Sequence, residues 1–209
     1  IRGYETFKDP KKVSQEKYKA MVDWRQENKV DDALLSKPKV WKLYNKVFFS
    51  YVYGRDKKGH PVAYERLGKL EPENILEIGD ENIIECTIRF LEELNKIMTD
   101  ISQSRERPCI KHVHVIDLEG FGWKHMKSKF RGIIKKIMEL SDKYYPETLE
   151  KLFILNSSML FRTLWAVLSP FVHPLTRARI VMLGYDKNTN LKALSEFIDV
   201  NQIPKFLGG

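Results

Sequence analysis

His112 and His114 stand at i and i+2 in residues 111–117, a run whose alternation reads as a β-strand, so both imidazoles share one face. Such a pair could ligate a metal or a haem iron, hydrogen-bond a phosphate, or line a wet cavity. Other reactive groupings are sparse. The chain has no G-x-S-x-G elbow, no P-loop, no H-E-x-x-H and no paired-cysteine metal spacing. The residue types therefore point to binding and not to turnover, and a non-enzyme is expected.

The elements that must hold these side chains follow from periodicity. Residues 152–155 and 180–183 are apolar runs of strand length, and between them residues 159–172 form a helix-length segment with almost no polar face. A helix that is apolar all round is buried or touches lipid. This one is too short to span a bilayer. Residues 13–27 read as a helix, with Asp9-Pro10 as its start signal. Residues 34–44 are ambiguous because Pro38 breaks a long helix. Residues 46–53 favour a strand, Asp56-Lys57-Lys58-Gly59 supplies a turn, and residues 62–66 return, giving a hairpin. Residues 75–101 carry the stripe of one amphipathic helix with an acidic outer face, and residues 126–144 carry another. Residues 199–209 read as an irregular tail. Strands alternating with helices predict an α/β fold with a mixed, mostly parallel sheet.

Composition narrows the class. The 209 residues fit one domain with room for a small helical lobe, and 43% hydrophobic and 31% charged residues are ordinary for a globular protein. Cys86 and Cys109 are the only cysteines, which gives no disulfide framework and makes a reducing, cytoplasmic setting the expectation. The net charge of +8 is uneven. Residues 71–95 hold eight acids and one base, whereas residues 124–136 hold Lys124, Lys127, Lys129, Arg131, Lys135, Lys136 and no acid. An anionic partner is expected for that basic cluster, and an anionic membrane surface is favoured over nucleic acid.

Several motifs occur in one order along the chain. Gly54-Arg-Asp-Lys-Lys-Gly-His-Pro-Val62 precedes Val115-Ile-Asp-Leu-Glu-Gly120, then Tyr144-Tyr-Pro-Glu147. Next come a strand ending in Asn156-Ser157, the apolar segment reaching Ser169-Pro-Phe171, and Pro174-Leu-Thr176 followed by a base. Pro204-Lys-Phe-Leu-Gly-Gly209 closes the chain. This series resembles the CRAL-TRIO lipid-binding family, in its phosphatidylinositol-transfer branch. The resemblance implies a sheet flooring an apolar lipid cavity, with residues 1–45 as the end of an N-terminal helical lobe and 46–209 as the lipid-binding domain.

It also implies roles. Glu147 would accept hydroxyl bonds from an inositol ring, while Thr176 and Arg179 would hold the headgroup phosphate. His112 and His114 would face the cavity from the central strand, where relatives have small hydroxyl residues. Val52 and Ala63 stand where relatives place tyrosines around choline, and Tyr4 stands where relatives have a further base in the helical lobe. The implied ligand is thus phosphatidylinositol, carried between membranes or presented to lipid kinases, with phosphatidylcholine handled poorly. Acyl chains would be lined by residues such as Phe48, Phe153 and Trp165. Phe161, Leu164, Trp165, Leu168 and Phe171 would act as a mobile gate touching the membrane of a peripherally associated protein. No cofactor beyond the bound lipid is expected. Two alternatives stay open: a carrier of haem, a sterol or an isoprenoid, and a regulatory module working through its basic surface.

Overall fold

The chain folds as one five-stranded sheet with helices on both faces, a mixed α/β architecture as the element order predicts. The computed structural model describes residues 9–105 and 107–209, so Tyr4 lies outside the described residues. Helix α1 (Pro10–Glu27) begins where expected: the Asp9 carboxylate accepts from the Lys12 amide at 3.0 Å, and proline takes the first turn. There follow α2 (Trp41–Phe48), β1 (Tyr51–Arg55), β2 (Pro61–Glu65), α3 (Pro72–Ile78), α4 (Asp80–Arg105), β3 (His112–Asp117) and α5 (Ser128–Tyr144). The chain continues through β4 (Leu149–Leu155), α6 (Met159–Leu168), α7 (Pro174–Arg177), β5 (Ile180–Met182) and α8 (Lys187–Ser195). The strands lie side by side in chain order; β1 is antiparallel to β2 and the other pairs are parallel.

The hairpin turn is closed by Asp56, whose carboxylate accepts from the amides of Lys58 and His60 at 2.9 and 2.7 Å. Gly59 supplies the positive φ of 85°. The elements differ from the sequence reading in several places, among them the end of α6 at Leu168, where a separate turn at Ser169–Phe171 closes the segment read as 159–172. Residues 46–48 belong to α2 and not to a strand, because Trp41, Tyr44, Val47 and Phe48 recur at helical spacing and are all buried. Residues 75–101 are two helices, since Gly79 turns the chain with φ of 82° between α3 and α4. Helix α8 has too weak an apolar stripe to be seen in sequence; Asp186 caps it, and Asn190 and Leu194 are its buried residues.

Two cores result, one on each sheet face. Helices α2 to α6 pack on one face around Phe90, Phe130, Ile154, Phe161 and Leu164. Helix α8 and the C-terminal turns cover the other around Val62, Tyr64, Val113, Val115 and Phe153. A strand buried on both faces needs an apolar run, which β2 shows from Pro61 to Tyr64 before it ends in Glu65. The second core corrects one expectation. Leu152 and Ile154 face the α2–α6 side, so the two-residue period turns Phe153 away, onto the Phe197 ring at 5.3 Å.

Candidate functional site

Between the sheet and helices α2, α4, α5 and α6 lies a cavity of about 250 Å³. Its walls are mostly apolar, with Phe48, Phe90, Phe130, Leu152, Ile154 and Trp165 among them. Polar side chains gather in two groups, one at the mouth and one on the floor.

The mouth sits at the amino-terminal edge of the parallel strands, and Glu147, Thr176 and Arg179 all line it. Arg179 precedes β5 and reaches back, donating to the Leu149 carbonyl at 2.9 Å and to Glu147 Oε2 at 2.7 Å. Glu147 lies in the turn from α5 to β4 with φ of 62°, a left-handed conformation that costs a non-glycine residue about 1 kcal/mol or more. That turn aims its carboxylate at Arg179. The Thr176 hydroxyl donates to Asp142 Oδ1 at 3.0 Å. Asp142 is a mouth residue the sequence reading missed, although a signal existed. Met138, Ser141 and Asp142 of α5 and its C-cap residue Tyr145 recur at helical spacing and all line the cavity. One guanidinium beside two carboxylates and a hydroxyl can bind phosphate oxygens and accept polyol hydroxyls at once.

The floor is different. His112 and His114 line it from β3, and Glu65 joins them from β2. The His114 Nε2 to Glu65 Oε1 separation is 3.7 Å and the two imidazole centroids lie 5.8 Å apart. His112 is buried, and burial reinforced by repulsion from His114 pushes its pKa down to about 3, so the ring is neutral. Tyr44 and Thr87 complete the floor, 3.3 Å apart through their hydroxyl oxygens. The opening hairpin places Val52 opposite Ala63, with Ala63 beside His114. Among the described residues no three histidine, cysteine, aspartate or glutamate side chains cluster as a metal site.

Helix α6 forms one wall. Phe161, Leu164 and Leu168 point inward and are buried, and Trp165 is half-buried along the cavity. Met159, Val167 and Phe171 lie on the solvent side at 79%, 54% and 45% exposure. The absence of a polar face thus has two causes, an inner cavity wall and an outer apolar patch. No helix among the described residues is long and apolar enough to cross a membrane.

The basic cluster is largely answered from within. Lys124 pairs with Glu71, Lys127 with Glu73 and Lys136 with Asp80, so the acidic segment and the basic segment meet. Lys135 lies over the Phe171 ring at 3.8 Å, beside the outer patch of α6.

Comparison with known proteins fits this geometry. The chain is 28% identical over an alignment of 214 residues to the phosphatidylinositol/phosphatidylcholine transfer protein SFH7 of Arabidopsis thaliana, covering 100% of this chain and 38% of that protein. It is 27% identical over 190 residues to Protein real-time of Aedes aegypti, covering 90% of this chain and 29% of that protein. The chain therefore spans about a third of the length of the curated relatives it matches. Among solved structures, that of Sfh5 superposes with a TM-score of 0.73 at 19% identity, over 90% of this chain and 65% of that one, a likeness of fold. The profile of the CRAL/TRIO domain matches residues 45–209, and the chain belongs to that family.

Proposed function

We propose that this chain carries phosphatidylinositol, taking it from one membrane and delivering it to another or presenting it to a modifying enzyme. The observation that carries the reading is the mouth, where Glu147, Thr176 and Arg179 converge on one rim of an apolar cavity. Inositol hydroxyls would donate to Glu147 and Asp142, and the phosphate would take Arg179 donors. The acyl chains would lie among Phe48, Phe90, Ile154 and Trp165. Enclosing them stabilises the complex by roughly 25 cal/mol per Å² of apolar surface removed from water. Entry requires α6 to swing outward, with Met159, Val167 and Phe171 meeting the membrane and Phe161, Leu164, Trp165 and Leu168 uncovering the cavity. The protein would then sit peripherally on an anionic membrane. In this reading residues 46–209 form the carrier, and the described residues before them, 9–45, brace it: Trp24 of α1 stacks on Tyr144 of α5 at 3.9 Å, close to the mouth.

Choline is disfavoured in this reading because Val52 and Ala63 offer no phenol or ring face to a quaternary ammonium. Native mass spectrometry of the purified protein tests the assignment. A co-purified mass matching phosphatidylinositol is the expected result. A bound phosphatidylcholine in its place, or no lipid under any loading condition, overturns it.

A further inference from the structure

A second crevice lies at the carboxyl ends of the parallel strands, at the opposite edge of the sheet from the mouth. Strands β4 and β5 are neighbours, yet the chain leaves β4 for α6 on one face and leaves β5 for α8 on the other. Adjacent strands whose connections part in this way open a crevice at their carboxyl ends, the place where open α/β sheets bind ligands. Here it measures about 220 Å³. Asp117 and Asn156 line it from the strand ends, Lys187 and Asn190 from α8, and Lys205 and Phe206 from the closing turn. None of these residues lines the lipid cavity.

The buried end of the crevice needs donors. Asn190 is buried, and its Nδ2 donates to the Gly184 carbonyl at 3.0 Å and to Asn156 Oδ1 at 3.4 Å, which fixes the orientation of the amide. Asn190 Oδ1 is left with no partner in the protein, a costly state for a buried acceptor unless a ligand or water answers it. Asp117 is buried beside it. Its Oδ1 accepts from Asn156 Nδ2 at 2.8 Å and from the Glu119 N–H at 2.9 Å, whereas its Oδ2 lies 3.6 Å from Arg66 Nε, too far for a hydrogen bond. Arg66 answers the charge of Asp117 and repels a second cation, so the donor that fits is a neutral hydroxyl and not an ammonium. The exposed end needs an anion. The ammonium groups of Lys187 and Lys205 are exposed and form no ion pair among the described residues, and Glu119 is taken by Lys69 at 3.3 Å and Arg66 at 3.6 Å. Asp186 caps α8 through the Thr189 N–H at 2.6 Å, so the two lysines and not the helix end supply the free positive charge.

We propose that this crevice is a binding site for a phosphorylated polyol, whose hydroxyls donate to Asn190 Oδ1 and Asp117 Oδ2 while its phosphate is held by Lys187 and Lys205. The chemistry it recognises is a phosphomonoester on a polyhydroxylated carbon frame, which a free sugar phosphate and a phosphorylated lipid headgroup share. The site goes beyond the carrier reading and does not rest on it.

The test is a calorimetric titration with glucose 6-phosphate and with cyclohexylmethyl phosphate, which keeps the anion and lacks the hydroxyls. The wild-type protein should bind glucose 6-phosphate roughly tenfold more tightly, the ratio expected for one or two buried hydrogen bonds. Lys187→Ala combined with Lys205→Ala should weaken that binding at least roughly tenfold, with an unchanged circular dichroism spectrum because both side chains are exposed. Arg179→Ala, at the other edge of the sheet, should bind glucose 6-phosphate as the wild type does. Vesicles separate the two sources of the ligand. Release of bound glucose 6-phosphate by phosphatidylinositol 4-phosphate vesicles, and not by phosphatidylserine vesicles of equal charge, supports the site with a lipid headgroup as its ligand; no release supports it with a solute. Equal affinity of the wild type for the two phosphates reduces the crevice to a basic patch and overturns the proposal. No binding of glucose 6-phosphate, binding unchanged in the lysine variant, or binding lost in Arg179→Ala overturns it too. Each of these results leaves the carrier reading to be decided by phosphatidylinositol transfer.

Discussion

Arg179 commits two of its N–H groups to the protein, to the Leu149 carbonyl and to Glu147, and still lines the mouth at about a fifth exposed. The arrangement holds the guanidinium in place while leaving donors for a phosphate. Arg179→Ala should cut inositol-lipid transfer at least roughly tenfold in a vesicle assay, because the phosphate loses its charged partner. Arg179→Lys should rescue only part, since an ammonium cannot reproduce the fork. His112 gives a different prediction, about pH. Its folded pKa of about 3 lies below the unfolded value of 6.5, so the unfolded chain binds the proton first as pH falls. Stability is thus fully present above pH 6.5 and is lost progressively toward pH 3. Glu150 acts in the same direction lower down: its lysine partner Lys58 holds its pKa down to about 2, and that contribution is lost below 4.5. Thermal melts between pH 7 and 5 should fall for the wild type and fall less for His112→Phe, the remainder coming from His125, whose pKa burial also lowers. A wild-type Tm that is level across this range would contradict the burial account. At this scale the sequence was partly legible. The face shared by His112 and His114 follows from a period of two, whereas Asp142 and Glu65 acquire their place only when α5 and β2 dock on β3.

Helix α6 was visible in sequence as a segment without a polar side, but which apolar residues face inward depends on the packing. Leu168 is 5% exposed and Val167 54%, one residue apart. Leu168→Glu should therefore destabilise the fold by about 2–4 kcal/mol, by burying an unpaired carboxylate. Val167→Glu should leave the Tm within a few degrees and weaken vesicle binding several-fold. If Val167→Glu binds vesicles as the wild type does, the outer patch of α6 is not the membrane contact. The charged segments teach a related lesson. Their composition was plain, yet only the fold shows that Glu71, Glu73 and Asp80 answer Lys124, Lys127 and Lys136. Exposed pairs of this kind add little to stability and are screened by salt. Glu71→Gln combined with Glu73→Gln should raise binding to anionic vesicles at low ionic strength, with the gain fading as the Debye length shrinks. Unchanged binding would remove these lysines from membrane contact. The helix boundaries missed in sequence have similar origins. The α2 face of Trp41, Tyr44, Val47 and Phe48 outweighs the β propensity of its residues, and Gly79 ends α3 where periodicity alone would run on.

Taken whole, the molecule sets a polar mouth, an apolar chamber and a floor bearing two histidines and a glutamate along one face of a sheet, and uses the other face for structure. The fold class was legible because strands and helices alternate and because the motifs fall in one family's order. Phe153 shows the limit. It is a strand aromatic like its neighbours, but the sheet directs it into the α8 core and away from the cavity. The central claim is that the mouth selects an inositol phosphate and that nothing on the hairpin favours choline. The most direct measurement is transfer of phosphatidylinositol and of phosphatidylcholine between vesicles by the wild-type chain and by Arg179→Ala, with folding of both checked by circular dichroism. The account predicts inositol-lipid transfer by the wild type, little phosphatidylcholine transfer, and loss of the former in the variant. Robust phosphatidylcholine transfer without inositol-lipid transfer, or a folded Arg179→Ala protein that transfers phosphatidylinositol as the wild type does, would contradict it.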